Sequence, residues 1–108
     1  MLMAMNVTLY SLQLFMIKSF KHKGLQQFYQ TGNKSGIQPH HAVKLQIQLT
    51  ALNAAGSPED LKAPVAWRLH QLNGELAGYW SLTVNGNWRV IFRFDENDVE
   101  LVDYLDYH

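Results

Sequence analysis

Trp80-Ser81-Leu82-Thr83-Val84-Asn85-Gly86-Asn87-Trp88-Arg89-Val90-Ile91-Phe92-Arg93-Phe94 alternates apolar and polar residues on both sides of an Asn-Gly pair, the pattern of a β-hairpin. A two-residue loop at Asn85-Gly86 opposes Leu82 to Arg89 and Ser81 to Val90, mixing polar with apolar on each face. A three-residue loop through Asn87 opposes Val84 to Trp88, Leu82 to Val90 and Trp80 to Phe92, all apolar. A one-residue slip turns every side chain over, so burial selects the second register. That register sets Arg89 opposite Thr83, and Arg93 opposite Tyr79, on the more polar face.

The rest of the chain is read around this hairpin. Residues 17–20 form a short strand, and Leu25, Phe28 and Tyr29 then recur at helical spacing until Thr31-Gly32-Asn33 closes the helix. A longer amphipathic helix starts near Pro39 and carries Val43, Ile47, Leu49 and Leu52 on one buried face, through Ala54-Ala55 to Gly56. Ser57-Pro58-Glu59-Asp60 is a turn with the residues of a helical cap. From Val65 the period becomes two, and the chain reads as antiparallel strands ending with residues 99–105. The expected fold is α+β: a small antiparallel β-sheet with two N-terminal helices packed on one face, leaving a polar face open.

Composition narrows the class. The chain of 108 residues has room for one domain, and with no cysteine it has neither a disulfide framework nor a thiolate metal site, which fits an intracellular, cytoplasmic protein. Nine Lys plus Arg balance nine Asp plus Glu, which weighs against a free-standing nucleic-acid binder. The charges are segregated, however. Lys18, Lys21, Lys23, Lys34 and Lys44 precede Asp95, Glu96, Asp98, Glu100, Asp103 and Asp106, so a neutral chain can still carry a basic face. Residues 1–15 are apolar but interrupted by Asn6, Thr8, Ser11 and Gln13, and have neither the positive start of a secretory signal nor the length of a membrane span. They are expected to be an upstream extension, with the natural start at Met16 and the domain covering residues 16–108.

Three blocks carry a resemblance: Gly78-Tyr79-Trp80-Ser81, Asn87-Trp88-Arg89 and the closing Asp106-Tyr107-His108, with a looser match from Met16-Ile17-Lys18-Ser19-Phe20 and Leu69-His70-Gln71-Leu72. Over residues 16–108 the chain resembles the HigB branch of the RelE-type toxins, the ribosome-dependent endoribonucleases of bacterial type II toxin–antitoxin pairs. The resemblance implies a RelE-like, microbial ribonuclease-type fold and a metal-independent cut of mRNA in the ribosomal A site, with no cofactor. It implies a catalytic set of His70, Asp106, Tyr107 and His108. It also implies a helix-turn-helix antitoxin of the HigA type, in a hetero-oligomer that binds operator DNA. Where such toxins often carry a basic residue shortly after the His, this chain has Asn73, so phosphate binding leans on Arg89, Arg93 or Lys23. A non-catalytic member that binds the ribosome or a partner protein is the alternative.

The residue types suit that chemistry. Attack by a 2′-OH on the adjacent phosphate needs a base, an acid for the departing 5′-oxygen and a cation for the developing charge. His70 and His108 are imidazoles, the side-chain type that most often serves as acid or base, Asp106 can orient an imidazole or take a proton, and Arg89 can grip two phosphate oxygens. Tyr107 can donate to phosphate or stack on a base. Each has a plainer reading: a surface histidine, a decorative terminus, a strand arginine lying over Trp88. Alternation also separates Asp106 and His108 from Tyr107 unless the strand bends or ends near Leu105. Adjacent helical His40 and His41 point about 100° apart and cannot easily share a metal ion. Lys18, Lys21 and Lys23 are a further candidate RNA or ribosome contact.

Overall fold

The computed structural model describes residues 17–107. The extension 1–15, Met16 and His108 lie outside the described residues. Helix α1 (Lys23–Thr31) begins where the His22 imidazole Nδ1 accepts the Leu25 N–H at 2.9 Å and ends at Gly32, whose φ of 83° lets its N–H reach the Phe28 carbonyl. Pro39–His41 is a 3-10 turn that leads into helix α2 (Ala42–Ala54). Strands β1 (His70–Gln71), β2 (Trp80–Asn85), β3 (Trp88–Asp95) and β4 (Asp98–Asp106) form one antiparallel sheet in sequence order. Leu25 and Phe28 of α1 and Leu45, Leu49 and Leu52 of α2 pack with Leu82, Val84, Val90, Phe92, Val99 and Val102 of the sheet, so the helices cover one face. The fold is α+β, as expected.

The expected register holds from Trp80↔Phe92 through Leu82↔Val90 to Thr83↔Arg89. It departs at the turn, where Asn85 rather than Val84 faces Trp88 and a bulge absorbs the extra residue. The buried Gln48 amide of α2 donates to the Thr83 carbonyl beside this bulge at 2.8 Å, tying the helix to the irregular stretch of the strand. Tyr79 precedes β2 and pairs with no residue of β3; its carbonyl accepts the Leu72 N–H instead.

Other expectations need correction. The buried side of α2 is Ala42, Leu45, Gln48, Leu49 and Leu52, whereas Val43 and Ile47 stand outside. Both sides of this helix are apolar, so spacing alone could not say which turns inward. Residues from Val65 do not begin a strand: Val65–Trp67 and Gly74–Leu76 are 3-10 turns, and β1 is two residues long. Ser57 makes no side-chain cap; the local bond is from the Gly56 N–H to the Asp60 carboxylate at 2.9 Å. Residues 17–20 contribute a single parallel bridge, Phe20↔Val102, in place of a full strand. Lys18 and Lys21 N–H groups still donate to Val99 and Val102 carbonyls at 2.8 Å. The Ser19 hydroxyl accepts the N–H of Leu101, whose φ of 54° marks a bulge in β4.

One polar cluster lies inside this layer. His41 is 1% exposed, its Nδ1 is 2.7 Å from the Tyr104 hydroxyl, and that hydroxyl also accepts the Gln38 N–H at 3.3 Å. Trp88 packs on both rings, at 4.7 Å from Tyr104 and 5.6 Å from His41. His41 Nε2 has no partner among the described residues, and burial pushes the imidazole below its usual 6.5.

Two predictions follow from these contacts. An unfolded chain takes up a proton at His41 as pH falls through 6.5 while the folded one resists it, so this contribution to stability is complete above 6.5 and is lost below it. The thermal midpoint of the wild type should therefore fall between about pH 7 and about pH 5, and His41→Leu should flatten part of that slope. At Gly24 a Cβ would lie 2.4 Å from the Gly36 carbonyl oxygen, where the start of α1 meets the following loop backbone to backbone. Gly24→Ala should cost about 3 kcal/mol in denaturant unfolding, because neither backbone can yield cheaply.

Candidate functional site

The register carries side chains across the uncovered face in rows. His70, Ser81, Ile91 and Asp103 are successive cross-strand neighbours; the next row holds Thr83, Arg89 and Leu105. Two strand spacings and a two-residue offset put the Cα atoms of His70 and Arg89 about 12 Å apart. This face is not wholly open. Leu72, Ser81 and Ile91 are buried and belong to no part of the helix-side core, so the 72–79 segment and the sheet share a second, smaller apolar contact.

At one end of the face the β2–β3 turn meets the end of β4. The Arg89 Nη1 donates to the carbonyls of Gly86 at 2.7 Å and Trp88 at 3.0 Å, which folds the guanidinium over the β2–β3 turn. The Tyr107 N–H donates to the Asn87 carbonyl of the same turn at 2.8 Å. Asp106 pairs with Trp88, so β4 neither bends away nor stops at Leu105, and the ladder continues one residue beyond its last assigned pair. Alternation then puts Asp106 on the helix side with Trp88 and Tyr104, and Tyr107 on the side of Arg89. The site straddles the end of the sheet. Tyr107 is 41% exposed, and Asp106 is exposed.

His70 sits on the edge strand with Nδ1 3.1 Å from the Arg68 carbonyl. A carbonyl can only accept, so this contact places the proton on Nδ1 and leaves the Nε2 lone pair outward, the tautomer a general base needs. Asn73 is exposed just before the Gly74–Leu76 turn, and its carbonyl accepts the Leu76 N–H. Lys23 opens α1, just after Lys21 and His22, whose N–H groups donate to the Val102 carbonyl at the β4 edge of the sheet.

The cations differ in what they face. Arg93 pairs across the strands with Glu100, Nε to carboxylate at 2.9 Å, and Lys18 pairs with Asp95. Those contacts hold Asp95 below the usual carboxylate range and Lys18 above its own, mainly through the hydrogen bond between them. Arg89 donates to carbonyls only, so its charge is the one on β3 left without a carboxylate among the described residues.

Sequence reasoning passed over Asp103, which stands in the same row as His70 and two residues before Leu105 on the Arg89 face. Once Arg89 is placed outward, counting back by twos along the last strand finds it. Lys21 lies over the Tyr79 ring, 5.4 Å from its centre, and shows that this lysine serves the uncovered face too. Among the described residues no group of three or more His, Cys, Asp or Glu is placed to hold a metal, and His41 is committed to Tyr104. No helix among them is long and apolar enough to cross a membrane.

The matches to known proteins cover this same stretch. Residues 18–108 match the family described as the RelE-like toxin of the type II toxin–antitoxin system HigB. Endoribonuclease HigB of Proteus vulgaris is 40% identical over 93 residues, which is 86% of this chain and 100% of that protein. Toxin HigB-1 of Vibrio cholerae is 36% identical over 94 residues, 86% of this chain and 98% of its own, and an uncharacterized protein of Haemophilus influenzae is 31% identical over 90 residues. With the family matched over nearly the whole described domain and two named relatives spanned almost end to end, the chain belongs to the HigB-like, RelE-superfamily toxins of type II toxin–antitoxin systems.

Proposed function

We propose that the chain is an endoribonuclease toxin that cuts mRNA presented in the ribosomal A site, without a metal, and that a HigA-like helix-turn-helix antitoxin neutralises it. The observation that carries this reading is the meeting, at one end of the sheet, of Arg89, which has no carboxylate partner among the described residues, with Tyr107 on its own side and Asp106 on the other. His70 stands on the same face as Arg89. In the reaction the 2′-oxygen bonds to phosphorus as a base removes its proton, and the P–O5′ bond breaks as an acid protonates the 5′-oxygen. The products are a 2′,3′-cyclic phosphate and a 5′-hydroxyl. His70 and Asp106, with His108, are the proton carriers; Arg89 offsets the charge that grows on the non-bridging oxygens, and Tyr107 donates to phosphate or stacks on a base.

A ribosome-presented substrate suits a chain with zero formal net charge, whose Arg93 and Lys18 are already engaged by carboxylates. Such a protein has little electrostatic purchase on free RNA. A second reading, a non-catalytic module that binds the ribosome or a partner, is favoured by Asn73, an uncharged side chain in a position where such toxins often hold a base. Inducing the chain in bacteria with and without the adjacent gene, while mapping mRNA 5′ ends, separates the two.

Arg89→Ala should lower ribosome-dependent cleavage about a hundredfold or more while the thermal midpoint moves little, since one charge-stabilising group is lost. Arg89→Lys should recover only part of the rate, because a point charge lacks the guanidinium fork. A large fall in stability with a proportionate fall in activity would make Arg89 a turn-fixing residue only.

Asp106→Ala, or removal of His108, should abolish growth arrest and cleavage with small stability changes, and His70→Ala should act in the same direction. Double loss of His70 and His108 should be less than additive if both serve one proton path. A folded protein lacking residues 106–108 that still cut mRNA at near the original rate would end this assignment.

A further inference from the structure

The outer side of α2 is dressed for a partner. Val43 and Ile47, one turn apart, are 70% and 55% exposed, although the same helix already buries Ala42, Leu45, Leu49 and Leu52 on its inner side. A helix with one side in water ordinarily carries charges there, and α2 carries a single one, Lys44. Beside Ile47 lies a hollow of about 170 Å³ walled by Lys44, Pro64, Ala66 and Trp67. Val65, at the tip of the adjoining turn, is 84% exposed. The result is a continuous aliphatic strip ending at a half-buried tryptophan, of the kind that marks an interaction surface rather than scattered exposure.

The border of this strip fixes the chemistry of what covers it. Its charges are Lys44 and Arg68, the residue after Trp67, and neither has an acidic partner among the described residues. The nearby acids are already engaged, Glu59 with Lys62 and Asp60 with the Gly56 N–H. A second copy of the chain related by a two-fold axis would bring Lys44 and Arg68 against their own images, which repel. RNA would gain little from Val43, Ile47 and Val65, whose aliphatic side chains offer neither hydrogen-bond donors nor ring faces, and Trp67 is half-buried. We propose that this face is the seat of the antitoxin, through a segment that presents apolar anchors flanked by carboxylates; the proposal rests on reading the chain as the toxin of a two-protein system. Val43, Lys44 and Ile47 are not among the candidate cleavage residues, and His70 and Arg89 lie on the sheet face that the helices do not cover.

The test titrates the full chain with the purified product of the adjacent antitoxin gene, by calorimetry, and repeats it with Val43→Glu/Ile47→Glu and with Lys44→Glu. Both variants change exposed positions and should unfold at nearly the wild-type temperature and still arrest growth. The double variant should bind about a hundredfold more weakly or worse and escape rescue by the antitoxin, and Lys44→Glu about tenfold more weakly. A folded double variant that binds within threefold of wild type, or a Lys44→Glu variant that binds as tightly, overturns the assignment. It is equally overturned if the double variant only dissociates a self-associated wild type, if it loses ribosome binding alone, or if Ile47 methyls in the free monomer contact residues 1–16. A wild-type chain that neither arrests growth nor binds the antitoxin ends the toxin reading and the proposal together; wild-type binding that the variants share ends the proposal alone.

Discussion

The two-residue alternation of β3 is the constraint from which the rest follows. Val90 and Phe92 are fully buried under the helices, and their burial sets which way Arg89, Ile91 and Arg93 point. A slip of one residue would put two arginines into the core, at a cost far beyond a domain's net stability. Everything at the candidate site is counted from this strand: His70 through Ser81 and Ile91 on one side, Asp103 and Leu105 on the other. The position of the chemistry is therefore a by-product of hydrophobic packing on the opposite face.

The C-terminal end of β4 has a second anchor. Residues near a terminus fray unless held. Tyr104, two residues before Asp106, is held by Trp88 stacking, by His41 and by the Gln38 N–H, so α2's leading turn, the hairpin and the last strand meet at one phenol. The cluster is not free of cost, since His41 Nε2 is buried without a partner among the described residues and one orphaned polar atom is worth on the order of 1–3 kcal/mol. A purely apolar side chain at position 41 would avoid that penalty but would leave the Tyr104 hydroxyl with one bond fewer. The stabilisation gained is directional. It fixes where the strand ends, and Asp106 and Tyr107 inherit that position.

What sequence could and could not show follows the same physics. Hairpin register was legible because its two faces differ sharply in polarity, and the α+β class because helical spacing gives way to alternation. The inner side of α2 was not, since Val43 and Ile47 are as apolar as Leu45 and Leu49 and only the sheet decides between them. The bulges at Val84 and Leu101 sit beside tertiary bonds, Gln48 to Thr83 and Ser19 to Leu101, whose partners lie 35 and 82 residues apart in the chain. Residue types at the candidate site were legible from the closing motif. Their charge pairing was not: Arg93 and Arg89 look equivalent in sequence, and only the pairing with Glu100 separates an offset cation from one with no carboxylate among the described residues.

That difference bears on how a neutral protein can handle a polyanion. Affinity for free RNA grows with the number of phosphates neutralised, and Arg93 on the sheet and Lys18 beside it are already matched by the chain's own acids. Catalysis needs less, a single guanidinium placed where charge develops, because a preorganised donor at the transition state acts on rate rather than on ground-state binding. Arg89, held by two carbonyls over a tight turn, has that character: its orientation is set before any substrate arrives, and carbonyls orient it without cancelling its charge. A single oriented guanidinium on a neutral chain suits the proposed ribosome-presented substrate, whose phosphate would be positioned by another body.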